Sequence, residues 1–427
     1  MVPVRSLALR KCGALVRFHV WAQAVTGQER GHACEVVLEC VRLKQQRRGL
    51  ELIRSHLPDT TAGAPRARPC RAGRAQQGAG RSKDSQHYPP IVRDLSTAEL
   101  VELADVDALT DRVDALCFEN DWTGAVDLRD RCRAALERGK QLWPAAAYAE
   151  YRLALDAPGS FAASVVDSPA ERFTFGPFSE VMASTHTFAE LRADLARTPA
   201  ASIVAHERVV RGEDLRADDH ALALPDVLGL PLRLEPWEPT YPLAGYEPGK
   251  ATFPTPDPPT FSAPAIPAAN LHAEIVRDPE VVEALVDLAQ AWVRGSNGRA
   301  QAVAIEGDAL HAIAALGARN VRISPISGAE ALAWMAWTAA SGGANGRRRG
   351  MAAGRHAAWW ALAALAGLAD HDDAPATPAE LGRALDELRW YLWDDGSPAT
   401  GWVLRLAVEE PAEDLAWAVV ATDAHLA

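Results

Sequence analysis

The sequence predicts an α+β fold that is predominantly helical: an N-terminal α-helical bundle, a Pro-rich strap and a small C-terminal α/β domain with about three strands. Three observations lead to this prediction. Apolar residues recur at helical spacing from residue 96 onward. Prolines come every few residues between 224 and 267, and after residue 279 helical runs alternate with short strand-like runs. The predicted domains are therefore 1–92, 93–223, 224–268 and 269–427.

Composition and charge set the broad class of the protein. Of the 427 residues, 48% are hydrophobic and 23% are charged, which is ordinary for a soluble globular protein. The formal net charge of −12 argues against non-specific binding of the whole molecule to nucleic acid or to a membrane surface. The longest apolar run, 357–369, is too short for a membrane-spanning helix, and the first residues build no secretory signal. The six cysteines include no Cys-x-x-Cys pair, so we expect a cytoplasmic protein with reduced thiols.

Residues 1–92 are a basic extension, since the first 90 residues hold 16 Lys and Arg against 6 Asp and Glu. This composition is typical of a disordered segment. A basic arm that binds nucleic acid is one alternative, and translation that starts near Val92 is another. We predict that the extension can be deleted without loss of folding. Limited proteolysis tests this, because a resistant fragment that retained roughly the first 60 residues would contradict it.

The predicted bundle opens with a capping box, in which Ser96 and Glu99 have the required spacing. Further helices are predicted at 121–139, 144–155, 188–197 and 201–211. The first two of these resemble one helical hairpin of a tetratricopeptide repeat. No second copy follows at a fixed period, which favours a plain bundle over a solenoid.

The strap is predicted to be extended, because proline fixes φ and removes a backbone donor. We expect a polyproline-like segment rather than sheet. A free linker would not carry so many aromatic residues, so we expect the strap to lie against the folded domains. Recognition by a proline-reading partner is the alternative. The aromatic residues are Trp237, Tyr241, Tyr246, Phe253 and Phe261.

The C-terminal domain is predicted from its alternating periodicity. The first two strands, joined through a helix, should form a right-handed crossover. Tryptophans are frequent and indicate an aromatic-rich core, with a stacking platform for a planar ligand as the alternative. Strands are predicted at 300–305, 320–324 and 402–408, and helices at 280–294, 308–316, 328–340, 378–393 and 412–425.

A glycine-rich and arginine-rich segment, 341–367, is the most unusual part of the chain. Glycine occupies every fourth position from Gly342 to Gly354, so on a helix these residues form a stripe for close backbone approach. Glycine inside a helix costs about 1 kcal/mol relative to alanine. We therefore predict a glycine-rich turn that leads into a helix from about Arg347, with Asn345 as its N-cap.

Three consecutive arginines, 347–349, would oppose the dipole of that helix, whose start favours acidic residues. Guanidinium groups and free backbone N–H groups at a helix start suit a phosphate or a carboxylate. On a helix, the guanidiniums of Arg347, Arg348 and Arg355 would converge. Structural ion pairing is the alternative, because the residues after 90 hold 28 basic against 50 acidic side chains. The candidate anion-binding residues are Ser341, Asn345, Arg347, Arg348, Arg349, Arg355 and His356.

Motifs that would identify a catalytic site are missing from the sequence. The glycine-rich loop lacks the lysine and hydroxyl residue of a Walker A motif, and His206-Glu207 lacks the second histidine of a zincin. We interpret His206-Glu207 as part of a surface helix. The run Asp-His-Asp-Asp at 370–373 offers metal ligands, but a solvated loop between helices is the favoured interpretation. We expect no catalytic residue, no cofactor and no metal site.

From about residue 93 to the end, the chain resembles a family of proteins from high-GC, actinobacterial-type bacteria to which no activity is attached. The resemblance rests on the helical region, the strap sequence Trp-Glu-Pro-Thr-Tyr-Pro at 237–242, the segment 341–350 and the segment 402–421. It implies a bacterial cytoplasmic protein in which the arginine-rich loop is typical of the group.

These observations favour a non-enzymatic binding or regulatory protein. The alternative is an enzyme or sensor that holds an anionic, phosphate-bearing small ligand at the glycine- and arginine-rich segment. The expected partner is accordingly another protein or a small anion. We expect no membrane binding, and nucleic-acid binding only through the basic extension.

Overall fold

The computed structural model describes residues 95–369, 376–397 and 401–424. The predicted basic extension and the aspartate-rich run 370–373 lie outside the described residues. From Ser96 onward, the described residues belong to one compact unit. No helix within these ranges combines the length and the apolar character needed to cross a membrane.

Helices make up the described chain before the strap. The predicted capping box is confirmed, because Ser96 Oγ accepts from the Glu99 N–H at 3.4 Å and the Glu99 carboxylate accepts from the Ser96 N–H at 2.8 Å. A short 3-10 helix, Pro169–Phe173, lies between the fifth and sixth α-helices. The α-helices are α1 (Thr97–Leu103), α2 (Val106–Phe118), α3 (Trp122–Glu137), α4 (Trp143–Asp156), α5 (Gly159–Ala163), α6 (Phe178–Thr185), α7 (Phe188–Leu191), α8 (Pro199–Val209) and α9 (Asp219–Leu222).

The strap follows α9 and is extended over most of its length, as predicted. Its aromatic residues pack against the fold, with Tyr241 and Tyr246 buried and Trp237 packed on the main core. The expectation that it contains no sheet is wrong. The strap forms the antiparallel hairpin β1 (Gly245–Glu247) and β2 (Lys250–Thr252), and β3 (Ile266–Pro267) extends a larger sheet. Proline is tolerated in β3 because this strand lies at the sheet edge.

The C-terminal residues build a seven-stranded sheet covered by helices. Its order is β3-β6-β7-β8-β9-β5-β4, and all neighbouring strands are antiparallel. The further strands are β4 (Glu274–Ile275), β5 (Arg299–Glu306), β6 (Asn320–Ile326), β7 (Arg389–Asp394), β8 (Gly401–Glu410) and β9 (Leu415–Ala424). The helices are α10 (Pro279–Asp287), α11 (Gln290–Gly295), α12 (Ala309–Ala315), α13 (Gly328–Ala340), α14 (Met351–Leu365) and α15 (Pro378–Glu387).

The prediction of a small α/β domain with about three strands is wrong, because the described residues contain a seven-stranded sheet and a separate two-stranded one. The predicted helix 412–425 is strand β9, and the end of the predicted helix 378–393 is strand β7. The alanine-rich sequence of β9 has a higher intrinsic propensity for helix than for strand. It lies between β8 and β5 with both of its faces covered, and this tertiary setting overrides the weak local preference.

The predicted crossover joins β5 to β6 through α12, which contacts β5, β6, β8 and β9. The two strands are parallel, because four successive antiparallel pairings separate them, and β7, β8 and β9 lie between them. The right-handed sense of this crossover stays a prediction.

Two hydrophobic layers cover the two faces of the sheet. Leu404, Leu406 and Val408 of β8 face the main core, which α10, α13, α14 and α15 complete. Ala407 faces the smaller core under α12. Helix α14 also contacts α8, so it joins the N-terminal helices to the sheet region. The N-terminal helices and the sheet region together therefore fix the position of the residues before α14.

Close packing of α14 on α13 depends on Gly354. A Cβ atom at this position would overlap the carbonyl oxygen of Ala336 and would lie 2.9 Å from the Ala340 Cβ. The predicted use of glycine for close backbone approach is confirmed at this crossing.

Candidate functional site

The glycine-rich segment is a loop from Ser341 to Gly350, and α14 begins only at Met351. The predicted helix start at Arg347 and the N-cap role of Asn345 are therefore wrong. The Arg349 N–H donates to the Ala340 carbonyl at 2.7 Å, which turns the chain back on itself.

Glycine is required at both ends of this loop. A Cβ at Gly342 would overlap the backbone of Arg347. Gly350 adopts a φ of 92°, which L-residues disfavour. A Cβ there would also lie 2.6 Å from the Glu207 carboxylate. The four-residue glycine spacing thus reflects a compact loop followed by a helix crossing.

Three hydrogen bonds fix this loop to neighbouring elements. The Ala344 N–H donates to the buried Asp423 carboxylate at 2.6 Å. The Asn345 N–H donates to Ser296 Oγ at 2.9 Å, and Ser341 Oγ accepts from Trp292 Nε1 at 2.8 Å. Ser341 and Asn345 therefore hold the loop in place.

Two glutamates from other helices accept hydrogen bonds from the first backbone N–H groups of α14. The Met351 N–H donates to Glu180 at 3.2 Å, and the Ala352 N–H donates to Glu207 at 2.8 Å. Arg348 makes a bidentate ion pair with Glu180, through Nε at 2.7 Å and Nη2 at 2.8 Å. The predicted affinity of this helix start for carboxylates is thus satisfied internally.

The two glutamates are fully buried and differ in acidity. The pKa of Glu180 lies below its ordinary value, because Arg348 and Arg211 outweigh the effect of burial. Burial raises the pKa of Glu207 to about 7, and the charge of Glu180 adds to this rise. Glu207 also pairs with Arg211 at 2.7 Å. The interpretation of His206-Glu207 as a surface pair is wrong, since both residues are buried.

Arg355 lies in a second buried ion pair. It contacts Glu238 through Nε and Nη2, both at 2.7 Å, and neither side chain is exposed. Arg355 also donates to the carbonyls of Pro231 and Arg233 at 3.0 and 2.8 Å. Glu238 further accepts from the Tyr241 hydroxyl at 2.6 Å. This cluster fastens the strap to α14, so the guanidiniums of Arg348 and Arg355 do not converge.

An open cavity of about 620 Å³ lies beside the glycine-rich loop. Its walls come from the 3-10 helix and the loop after it, the strap, the end of α13 with the glycine-rich loop, and the start of β8. In β8, Trp402 lies opposite Asp423 of β9, which binds the glycine-rich loop. The lining residues are Glu171, Arg172, Thr174, Phe175, Gly176, Pro177, Phe253, Thr255, Trp337, Ser341, Gly342, Gly343, Ala344, Gly346, Arg347, Arg348, Gly401 and Trp402.

Two arginines of this lining carry charges that the described residues do not neutralise by contact. Arg347 is an exposed residue, and its guanidinium forms no hydrogen bond or ion pair within the described ranges. Arg172 stacks on the Phe173 ring at 5.0 Å and has no carboxylate partner in the same ranges. Partial removal from water raises the pKa of Glu171, and the Phe178 N–H and the charge of Arg347 limit that rise.

Arg348 presents one edge of its guanidinium to Glu180 and lines the cavity. An arginine has five N–H donors, and the Glu180 pair uses only Nε and one hydrogen of Nη2. The opposite edge, Nη1 with the second Nη2 hydrogen, has no acceptor in the part of the chain that the structure describes. The guanidinium also lies over the Phe253 ring at 5.1 Å.

Aromatic side chains form the apolar part of the cavity wall. Trp337 contacts Trp292 and Trp334 edge to face, at centroid distances of 5.7 and 5.5 Å. Most tryptophans of the sheet region are buried core residues, as the predicted aromatic-rich core requires. Trp337 and Trp402 also line the cavity, and the alternative of a stacking platform for a planar ligand stays a prediction.

Of the predicted candidate residues, the structure brings Ser341, Arg347 and Arg348 to the cavity. Asn345, Arg349, Arg355 and His356 lie outside its lining. The Arg349 side chain is exposed, and His356 Nδ1 contacts the Leu228 carbonyl at 2.9 Å. The sequence does not indicate Glu180, Glu207 and Glu238 as partners of the arginines and of α14, because these glutamates lie more than a hundred residues away in the chain.

Comparison with known proteins identifies one family. Residues 107–425 match a family described as a family of unknown function, DUF6183. Neither the curated proteins nor the solved structures include a match. Among the described residues, no group of His, Cys, Asp and Glu side chains is arranged to hold a metal ion.

Proposed function

We propose that this chain, which belongs to the family of unknown function DUF6183, is a binding protein that holds a small anionic ligand in the cavity beside its glycine-rich loop. The observation that carries the proposal is the guanidinium of the exposed residue Arg347, which lines the cavity without an ion-pair partner among the described residues. A ligand carboxylate or phosphate would supply that partner.

The dimensions and composition of the cavity support this proposal. Its volume of about 620 Å³ falls in the range of small-molecule sites, and its wall combines aromatic side chains with few polar groups. The loop contributes backbone as well as side chains. Within the described residues, the N–H groups of Gly342, Gly346 and Arg347 donate to no protein acceptor. Backbone N–H groups of such loops stabilise bound anions.

Binding is favoured over catalysis because the lining lacks a nucleophile paired with a base. Glu171 is the one carboxylate in the lining that the structure describes, and it accepts from the Phe178 N–H at 3.3 Å. The buried acids Glu180 and Glu207 lie behind the wall and are hydrogen-bonded to α14. We therefore assign the cavity a binding or sensing role.

Among the predicted anion-site residues, we propose two different roles. Arg347 and the outer edge of Arg348 bind the ligand. Ser341 and Asn345 hold the loop, while Arg355 stabilises the strap. We further propose that the protein acts in the cytoplasm of a high-GC bacterium, on the basis of the resemblance given above, and that any nucleic-acid contact is made by the basic extension.

A thermal-shift screen tests the proposed function. The probes are inorganic phosphate, acetate, benzoate and adenosine monophosphate, each at increasing concentration. A ligand at 100 times its Kd stabilises the folded protein by about 2.7 kcal/mol. We expect at least one probe to raise the Tm of the wild type and to lose this effect in Arg347→Gln.

Arg349→Gln is the matched control for this screen. Arg349 is also exposed and lies two residues further along the chain, but it does not line the cavity. We expect the control to keep the wild-type shift. The proposal is wrong if no probe shifts the wild type, or if Arg347→Gln responds like the wild type.

A further inference from the structure

We infer that the cavity selects a flat acid with a single negative charge, such as an aromatic carboxylate, over dianionic phosphates. This inference rests on the proposed function and specifies the ligand class of the same site. Three features of the cavity carry it: the balance of charges in its wall, the outer edge of Arg348, and the aromatic lining.

The charged side chains that line the cavity, taken together with the Glu180 partner of Arg348, leave one net positive charge for the ligand. Arg348 is already neutralised by Glu180, with which it forms the bidentate pair. This leaves Arg172 and Arg347 opposite one acid, Glu171. A monoanion balances this set of charges. A phosphate dianion would bring a second negative charge next to Glu171, and like charges at close range repel.

The geometry of Arg348 suits a planar two-oxygen group. Its Nε and Nη2 face Glu180, so Nη1 and the second Nη2 hydrogen form the opposite edge. This edge has the spacing for two parallel N–H···O bonds to a carboxylate. The side chain is only 5% exposed and is held in one orientation by Glu180. Glu180 is in turn fixed by the Tyr246 hydroxyl at 2.7 Å and by the Met351 N–H.

The remaining lining suits a flat apolar body. Phe175, Trp337 and Trp402 lie in the wall, and Phe253 packs under the Arg348 guanidinium. Aromatic rings offer large contact areas to planar groups through stacked or edge-to-face contacts. A ligand whose acid group reaches Arg348 would place its body among these rings.

Glu171 is the residue that we expect to discriminate against a second negative charge. Its replacement by glutamine keeps an oxygen that accepts from the Phe178 N–H, so the loop geometry should be retained. Only the formal charge in the cavity wall changes. Glu171→Gln is therefore a specific test of charge selection.

The experiment uses four probes that share a two-ring skeleton. They are 2-naphthoate, 2-naphthamide, 2-naphthyl phosphate and decahydro-2-naphthoate, titrated into the full chain by calorimetry at pH 8. The amide removes the charge, the phosphate carries its charge on a tetrahedral group and is a dianion at this pH, and the saturated acid removes the flatness of the rings. For the wild type, we expect 2-naphthoate to bind at least tenfold more tightly than the neutral amide, and several-fold more tightly than the phosphate and the saturated acid.

Glu171→Gln should improve binding of the phosphate several-fold relative to 2-naphthoate, and Arg347→Gln should weaken both. Tighter binding of the phosphate than of 2-naphthoate by the wild type, or an unchanged ratio in Glu171→Gln, would overturn the inference and leave the proposed function standing. If neither these four probes nor those of the thermal-shift screen bind, both proposals fail.

Discussion

Replacement of Arg355 by alanine should destabilise the protein strongly, although the sequence places this residue among the ligand-binding candidates. In the structure, the guanidinium is fully buried and makes both of its carboxylate contacts with Glu238, which is also fully buried. Arg355→Ala would leave the Glu238 charge without its counter-ion and would remove donors from the carbonyls of Pro231 and Arg233.

The expected loss follows from the burial of this pair. Removal of one partner of a buried ion pair costs about 3–5 kcal/mol, because the remaining charge is orphaned away from water. Arg216→Ala is the matched control. Arg216 makes a comparable ion pair with Asp214, but both side chains are about half exposed, at 53% and 50%. An exposed pair contributes far less than a buried one, because water screens its charges.

Urea unfolding followed by circular dichroism measures both variants. We expect Arg355→Ala to lower the unfolding midpoint far more than Arg216→Ala, with an unchanged slope. The double variant Arg355→Met with Glu238→Gln should recover part of the loss, because it leaves no buried charge unpaired. Arg355→Ala within about 1 kcal/mol of the control would refute this reasoning.

Two further predictions concern stability. The pKa of Glu207 is raised to about 7 in the folded protein from an ordinary 4.5, so the folded state holds a proton that the unfolded chain releases between these two values. The contribution of this proton to the free energy of unfolding is complete below pH 4.5 and is lost as the pH rises to 7, by roughly 3 kcal/mol in all. Urea unfolding should show a stability difference between wild type and Glu207→Gln that changes with pH in this sense, and a constant difference would contradict it. Gly354→Ala should destabilise by about 1–3 kcal/mol despite its better helix propensity, because the methyl group overlaps the Ala336 carbonyl. A calorimetric Tm equal to or above that of the wild type would disprove the close approach of α13 and α14.

Local signals predicted the elements that depend on local chemistry. The capping box at Ser96 could be predicted from the sequence because its two partners are three residues apart. The strap was legible because proline restricts the backbone directly. Strand β9 could not be predicted from the sequence, since its alanine-rich segment favours a helix and only pairing with β5 and β8 makes it a strand. The strands of the sheet and their order therefore depend on contacts between residues that are distant in sequence.

The candidate site shows the same difference between local signals and contacts that are distant in sequence. The glycine spacing and the arginine run identified the right loop, and Arg347 and Arg348 do line a cavity. The sequence does not indicate which arginines are neutralised, because Glu180 lies 168 residues before Arg348 and Glu238 lies 117 before Arg355. An acidic chain offers many carboxylates, and only the fold selects the two that form buried pairs.

The central claim is that Arg347 serves ligand binding whereas Arg355 serves stability, and one paired measurement tests it. Wild type, Arg347→Gln and Arg355→Lys are each unfolded with urea, with and without benzoate or adenosine monophosphate, whichever shifts the wild type more. We expect Arg347→Gln to match the stability of the wild type within about 0.5 kcal/mol, as for an exposed side chain, and to lose the ligand effect. Arg355→Lys should lose stability, because lysine cannot reproduce the bidentate pair, and should keep the ligand effect. If the two variants exchange these outcomes, or if both lose stability and ligand response together, the division of roles is contradicted.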